Sequence, residues 1–179
     1  FDNGTIEIHY QLFPIQDLAF RTILMFESRL EKRNITLEGL DSEPVQVWGD
    51  PDLIGQVIYN LFENATKFVN TGGTITFTFK DEPNNTSIAI RNTGAGISKE
   101  ELPKIFERFY KSDDSRSHDK TGLGIGLDIT KHIVRLHKAQ ISVSSEEGEY
   151  TEFLIRLPKK DAPAESPTEN PEKQPKDAR

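Results

Sequence analysis

The chain of 179 residues contains no cysteine, which excludes a disulfide framework, a cysteine nucleophile and a thiolate metal site. No apolar run approaches the ~20 residues that a membrane-spanning helix needs, and no signal-peptide pattern opens the sequence. Basic residues are in deficit, 22 Lys and Arg against 29 Asp and Glu for a formal net charge of −7. That balance argues against a general nucleic-acid binder, whose domain would carry net positive charge. What is present, 35% hydrophobic and 28% charged residues, suits one soluble domain with a real core, or a piece of something larger.

The segment 158–179 separates itself by composition. Five of the ten prolines lie there, and its only apolar side chains are three alanines. Such a stretch cannot bury enough surface to offset its ordering entropy and is expected to be a disordered tail. Its five basic and five acidic residues cancel, so the whole −7 belongs to residues 1–157. In that body, Ile15, Leu18, Ala19, Ile23, Met25, Phe26 and Leu30 recur at helical spacing between Pro14 and about Arg33. Short strands are expected at 35–37 and 45–48. Asp50-Pro51 signals a helix start, an N-cap acid followed by proline in the first turn, and the helix should run to about Phe68. Ile75/Phe77/Phe79 and Ile88/Ile90 alternate around Glu82-Pro83-Asn84-Asn85 and predict a hairpin with one buried face. Residues 111–121 have no apolar side chain and read as a mobile loop. A third helix is expected from about Gly124 to His137, followed by a second strand pair, Ile141/Val143 and Phe153/Ile155/Leu157, turning at Gly148. The expected fold class is an α/β two-layer sandwich (α+β): a mixed, largely antiparallel sheet covered on one face by about three helices.

Several positions carry chemistry. Asn60, Asn64 and Lys67 share one stripe of the second helix. The stripe is either a solvated face or a site where a carboxamide oxygen ligates a hard cation and an ammonium meets a phosphate. Asn is a poorer helix former than Glu or Lys by a few tenths of a kcal/mol, so two in mid-helix call for a reason. Asn92-Thr93-Gly94-Ala95-Gly96-Ile97 follows a strand; its glycines serve either an ordinary turn or a close approach of backbone to a ligand. Thr121-Gly122-Leu123-Gly124-Ile125-Gly126-Leu127 leads from the polar loop into the third helix. It is either a hinge or an anion site built from free N–H groups. It is neither a P-loop nor a dinucleotide fingerprint. Phe106 and Phe109 are expected to anchor the mobile loop, with Arg108, Tyr110, Lys111, Arg116 and Lys120 close by.

In order and spacing this set resembles the catalytic domain of sensor histidine kinases. Residues 60–68 (NLFENATKF) resemble the family's N box, Asn92 to Gly96 its G1 box, Phe106 to Phe109 its F box and Thr121 to Leu127 its G2 box. The resemblance covers about residues 6–158 and implies the Bergerat ATP-binding fold, with an ATP lid at about 107–122. It implies Mg²⁺ at Asn64 with Asn60 beside it, and phosphate contacts from Lys67 and Lys111. Asn92, Gly94, Gly96, Ile97, Arg108, Tyr110, Thr121, Gly122, Leu123, Gly124 and Gly126 would line the nucleotide. Positioning and charge neutralisation would be the protein's catalytic contribution. Two departures stand out. Asn92 occupies a place where the family usually has Asp, so its bond to the adenine amino group is not charge-assisted and is worth about 1 kcal/mol less. Lys138-Ala139 replaces two glycines common after the third helix.

None of His9, His118, His132 and His137 has the context of a phosphoacceptor. His9 keeps the family's spacing to Pro14 but lacks an acidic neighbour and the helical hairpin that should follow. The acceptor histidine and its dimerisation helices are therefore expected to lie outside this chain. The expected partners are those helices and a response regulator, with no nucleic acid and no membrane contact. The piece should be monomeric and cytoplasmic, within a membrane-anchored parent. The alternative is a non-catalytic regulatory module of the same fold that acts through protein contacts.

Overall fold

A computed structural model describes residues 5–107 and 123–163. Its elements in chain order are β1 (Gln11–Pro14), α1 (Ile15–Lys32), β2 (Thr36–Glu38), β3 (Gln46–Gly49), α2 (Pro51–Phe68), β4 (Thr74–Asp81) and β5 (Asn85–Thr93). A single 3₁₀ turn at Leu102–Lys104 follows, then α3 (Leu123–Leu136), β6 (Gln140–Glu146) and β7 (Tyr150–Pro158).

The main sheet has the order β2-β4-β5-β7-β6. Only β2–β4 is parallel; the other pairs are antiparallel. Hairpin connections account for β4–β5 and β6–β7, because strands joined by short turns must run in opposite directions, while β5–β7 is antiparallel across a connection that holds α3. Along β5 the two-residue period sends Ile88, Ile90 and Asn92 to one face, and all three are buried. Across the strands, Phe77, Ile90, Phe153 and Val143 fall in register. Onto this face packs α2, against β5, flanked by α1 on one side and by α3 on the other. Phe26, Phe62 and Phe77 step from α1 through α2 to the sheet with ring centroids 5.4 and 5.6 Å apart, within the favourable range for aromatic pairs.

The start of α2 follows from its sequence. The Asp50 carboxylate accepts from the N–H groups of Asp52 at 3.0 Å and Leu53 at 3.2 Å, satisfying two donors that the first turn leaves open. It also accepts from the His9 N–H at 2.9 Å. Burial pushes the Asp50 pKa up, but the His9, Leu53 and Asp52 donors and the adjacent His137 ring outweigh it, holding the group below its usual value of 3.8. The His137 ring is consumed as well. Its Nε2 accepts from the Asp50 N–H at 3.1 Å, and its Nδ1 lies 2.8 Å from the Ile133 carbonyl.

Three sequence expectations are corrected. Met25 is 69% exposed, because the buried line of α1 follows the four-residue ridge Leu18–Thr22–Phe26–Leu30, which rotates about 40° per step away from position 25. A two-stranded antiparallel pair, β1–β3, was not expected, since Gln11–Pro14 shows no alternation and pairs across more than thirty residues. Pro158 is the last residue of β7 rather than the first of a tail, and the Lys159 N–H reaches the Asn84 carbonyl at 3.0 Å. The remaining expected tail from residue 164 lies outside the described residues. No helix among the described residues is long and apolar enough to cross a membrane.

Candidate nucleotide site

The Asn60–Asn64–Lys67 stripe sits on α2, and its two carboxamides have different surroundings. Asn60 donates through Nδ2 to the Gly126 carbonyl at 3.2 Å and to Thr130 Oγ1 at 3.4 Å. Both acceptors belong to α3, so Asn60 stitches the two helices and leaves its Oδ1 without a hydrogen bond among the described residues. Asn64 is 7% exposed, its side chain makes no hydrogen bond within the described residues, and its polar atoms keep contact with solvent. A carboxamide held in place yet open at its tip can offer its oxygen to a hard cation. Lys67 lies one turn on, 3.5 Å from Glu63.

Asn92 ends the buried row of β5 and is 4% exposed. Its Nδ2 donates to the Thr93 carbonyl at 3.0 Å. A carbonyl only accepts, so the atom facing it must be the amide nitrogen, which leaves Oδ1 as an outward acceptor.

The two glycines that follow are required by contacts within the chain. Gly94 has φ 148°, and a Cβ there would lie 2.3 Å from the Phe68 carbonyl oxygen. Gly96 has φ 71°, and a Cβ there would lie 2.4 Å from the Glu146 carbonyl oxygen. Both positive-φ glycines serve a turn that approaches the end of α2 and the β6–β7 turn closely. That turn clasps the segment: the Gly94 N–H donates to the Glu149 carbonyl at 3.2 Å, and the Gly148 N–H to the Ala95 carbonyl at 2.6 Å. Ser145 Oγ accepts from the Ile97 N–H at 2.7 Å and donates to the Tyr150 carbonyl at 2.6 Å.

A bridge between Val69 and Gly94 ties the end of α2 to the end of β5, bringing the Asn64–Lys67 turn and Asn92 to one end of the sheet. The Arg33 guanidinium donates to the Thr66 and Val69 carbonyls, satisfying acceptors that a helix C-terminus leaves open. Neither Arg33 nor Ser145 carried a sequence signal, because the Thr66 and Val69 carbonyls and the Ile97 N–H that they bind lie more than thirty positions away. At the opposite wall, α3 begins at Leu123. The N–H groups of Leu123, Gly124 and Ile125 fall in the first turn, which has no intrahelical acceptors for them. Gly126 sits one position further in and offers its carbonyl to Asn60.

Phe106 packs edge-on against Phe153 with centroids 6.2 Å apart, and Ile105 beside it is buried. Arg108, Phe109, Tyr110, Lys111, Thr121 and Gly122, with the rest of the expected lid, lie outside the described residues. The arrangement joins an unused, solvent-accessible amide oxygen, an ammonium, an outward acceptor at a strand end and a helix N-terminus. Together these offer separate anchor points for a cation, an anion and a donor-bearing ring.

The profile of the family described as histidine kinase-, DNA gyrase B-, and HSP90-like ATPase matches residues 49–161. The sensor protein SrrB of Staphylococcus aureus is 41% identical over 115 residues, covering 64% of this chain and 20% of its own length. The chain thus spans about a fifth of the length of the curated relatives it matches. The catalytic domain of the histidine kinase ThkA superposes with a TM-score of 0.72 at 28% identity, over 84% of this chain and 95% of that one. A structure of ThkA in complex with the response regulator protein TrrA superposes with a TM-score of 0.69 at 26% identity, over 84% of this chain and 42% of that one.

Proposed function

Because the chain belongs to the histidine kinase-, DNA gyrase B-, and HSP90-like ATPase family, we propose that it is the ATP-binding catalytic domain of a sensor histidine kinase. It passes the ATP γ-phosphoryl group to a histidine on a separate dimerisation domain, for relay to a response regulator. It acts in the cytoplasm as part of a longer, membrane-anchored receptor.

The observation that carries this reading is the Asn64 side chain, 7% exposed, whose carboxamide has no hydrogen bond in the described residues and stays open to a ligand. Its oxygen fits Mg²⁺, and Asn60, whose Oδ1 has no hydrogen bond among the described residues, stands one helical turn before it. Mg²⁺ when bound supplies charge neutralisation between phosphate oxygens. Lys67 and Lys111 hold phosphates as point charges. Backbone N–H groups of Leu123, Gly124 and Gly126 at the α3 N-terminus would receive the phosphate chain, and the family resemblance assigns Arg108, Tyr110, Thr121 and Gly122 to the same nucleotide. Asn92 Oδ1 accepts from the adenine amino group, while Gly94, Gly96 and Ile97 shape the turn beneath the base. Catalysis then consists of positioning and electrostatics.

The test mixes the chain with a phosphoacceptor domain from a related kinase and γ-labelled ATP. Label should transfer to the acceptor histidine, and Asn64→Ala should reduce transfer by at least a hundredfold. Transfer undiminished by Asn64→Ala overturns the assignment. ATP binding without any transfer would favour the regulatory alternative.

A further inference from the structure

A cavity of about 600 Å³ opens at the far end of the sheet, lined by Tyr10, Trp48, Lys138, Arg156, Lys159 and Lys160 among others. Asn85, Pro158 and Lys159 line it, and Asn85 pairs with Pro158 at the opposite end of β5 from Asn92. Seven residues of strand separate Asn85 from Asn92, roughly 23 Å, so the cavity is distinct from the nucleotide site. Its volume lies in the range of small-molecule sites.

The wall is unusual for this chain. Among the described residues four cations line the cavity and no carboxylate does, although the protein as a whole carries −7. Arg156 is paired with Glu82 at 3.1 Å and Lys159 with Asp81 at 2.5 Å. Among the described residues no carboxylate pairs with Lys138 or Lys160. Lys160 is held over the Trp48 ring at 4.8 Å, and Tyr10 stacks beneath Trp48 with centroids 5.5 Å apart. The aromatic pair therefore fixes one ammonium against the cavity. Lys138 follows α3 with φ 54°, a left-handed position where glycine is the residue of least strain. A lysine that accepts this strain at the rim of a basic cavity points to a use for its charge.

We propose that this cavity is a second, separate site for a small phosphate-bearing polyanion. Lys138 and Lys160 are the unpaired cations that receive it, and Arg156 and Lys159 set the surrounding potential. Neither the kinase reading nor the nucleotide site is needed for this assignment.

Trp48 is the only tryptophan of the chain, so its fluorescence reports this wall alone. The experiment titrates the chain with inorganic pyrophosphate, free of Mg²⁺ and at constant ionic strength, while following Trp48 emission. Saturable change is expected, and it should be the same in Asn64→Ala, whose lesion lies at the other site. Lys138→Asn keeps a residue that tolerates left-handed backbone and should weaken the apparent affinity about tenfold. The double variant Lys138→Asn/Lys160→Gln, monitored by calorimetry, should weaken it a hundredfold. Absence of a saturable signal in the native chain overturns the proposal. So does a signal that survives in Lys138→Asn at full strength or disappears in Asn64→Ala.

Discussion

Replacing Asn92 with aspartate sets two effects against each other, and the structure gives a sign for each. In the native chain Nδ2 donates to the Thr93 carbonyl at 3.0 Å from a position only 4% exposed. Aspartate has no donor to offer, so its second oxygen would face a carbonyl oxygen across that distance. The Thr93 carbonyl keeps the Asn70 N–H at 3.3 Å, so losing the Asn92 bond should destabilise the nucleotide-free domain by about 1 kcal/mol. The other oxygen still points outward, now charged, and a charge-assisted bond to the adenine amino group should strengthen nucleotide binding by about 1 kcal/mol, roughly fivefold. Urea unfolding of the nucleotide-free protein measures the first term, and calorimetric titration with ATP measures the second. The expected variant is less stable without nucleotide and binds ATP more tightly. Unchanged stability would refute the claim that the Thr93 bond orients the amide. Unchanged or weaker ATP affinity would refute the placement of position 92 at the base.

Further substitutions separate roles that the sequence alone leaves merged. Asn60→Ala removes the stitch to α3 and should cost about 1–2 kcal/mol in urea unfolding, whereas Asn64→Ala should cost under about 1 kcal/mol while removing Mg²⁺-dependent ATP binding. Gly94→Ala should fail to fold or lose several kcal/mol, since its Cβ would strike the Phe68 carbonyl. Gly72→Ala, at φ 76° with nothing within 4 Å of the added carbon, should lose only about 1 kcal/mol, and thermal melts rank the two. Asp50 has a folded pKa below 3.8, so its stabilisation is fully present above the unfolded value and fades as pH falls through the folded one. Stability of the native chain should therefore decline more steeply below about pH 4 than that of Asp50→Asn, as followed by urea midpoints across pH.

The repeating parts of the fold were legible before any coordinates. Asp50-Pro51 foretold the α2 cap because cap chemistry is local. Ile88/Ile90 and Phe153/Ile155/Leu157 foretold buried strand faces because a two-residue period is enforced by the pleat. The same alternation, carried to position 92, explains why Asn92 is buried. Long-range partners were not legible. Nothing local to Gln11–Pro14 announces its pairing with β3, nothing around Arg33 announces the carbonyls at the end of α2, and Ser145 looks like any strand serine. The glycines of residues 94–96 could be read as an ordinary turn or as a close approach to a ligand, and the contacts that require them, the Phe68 and Glu146 carbonyls, lie too far off in sequence to be read locally.

The clasp formed by the β6–β7 turn also has a bearing on the order in which the molecule can be made. The central strand β5 finds one neighbour, β4, within a few residues, but its other neighbour, β7, emerges some sixty residues later. Until then the Ile88–Ile90 stretch is an open sheet edge, the kind of surface on which nascent chains associate. The Gly94–Ile97 segment likewise stays unclasped until Ser145 and Glu149 have been synthesised. A ribosome-bound chain truncated before Tyr150 should therefore be aggregation-prone and unable to retain nucleotide, however complete its Asn60–Lys67 helix. Late closure of this kind makes nucleotide retention a readout of finished folding.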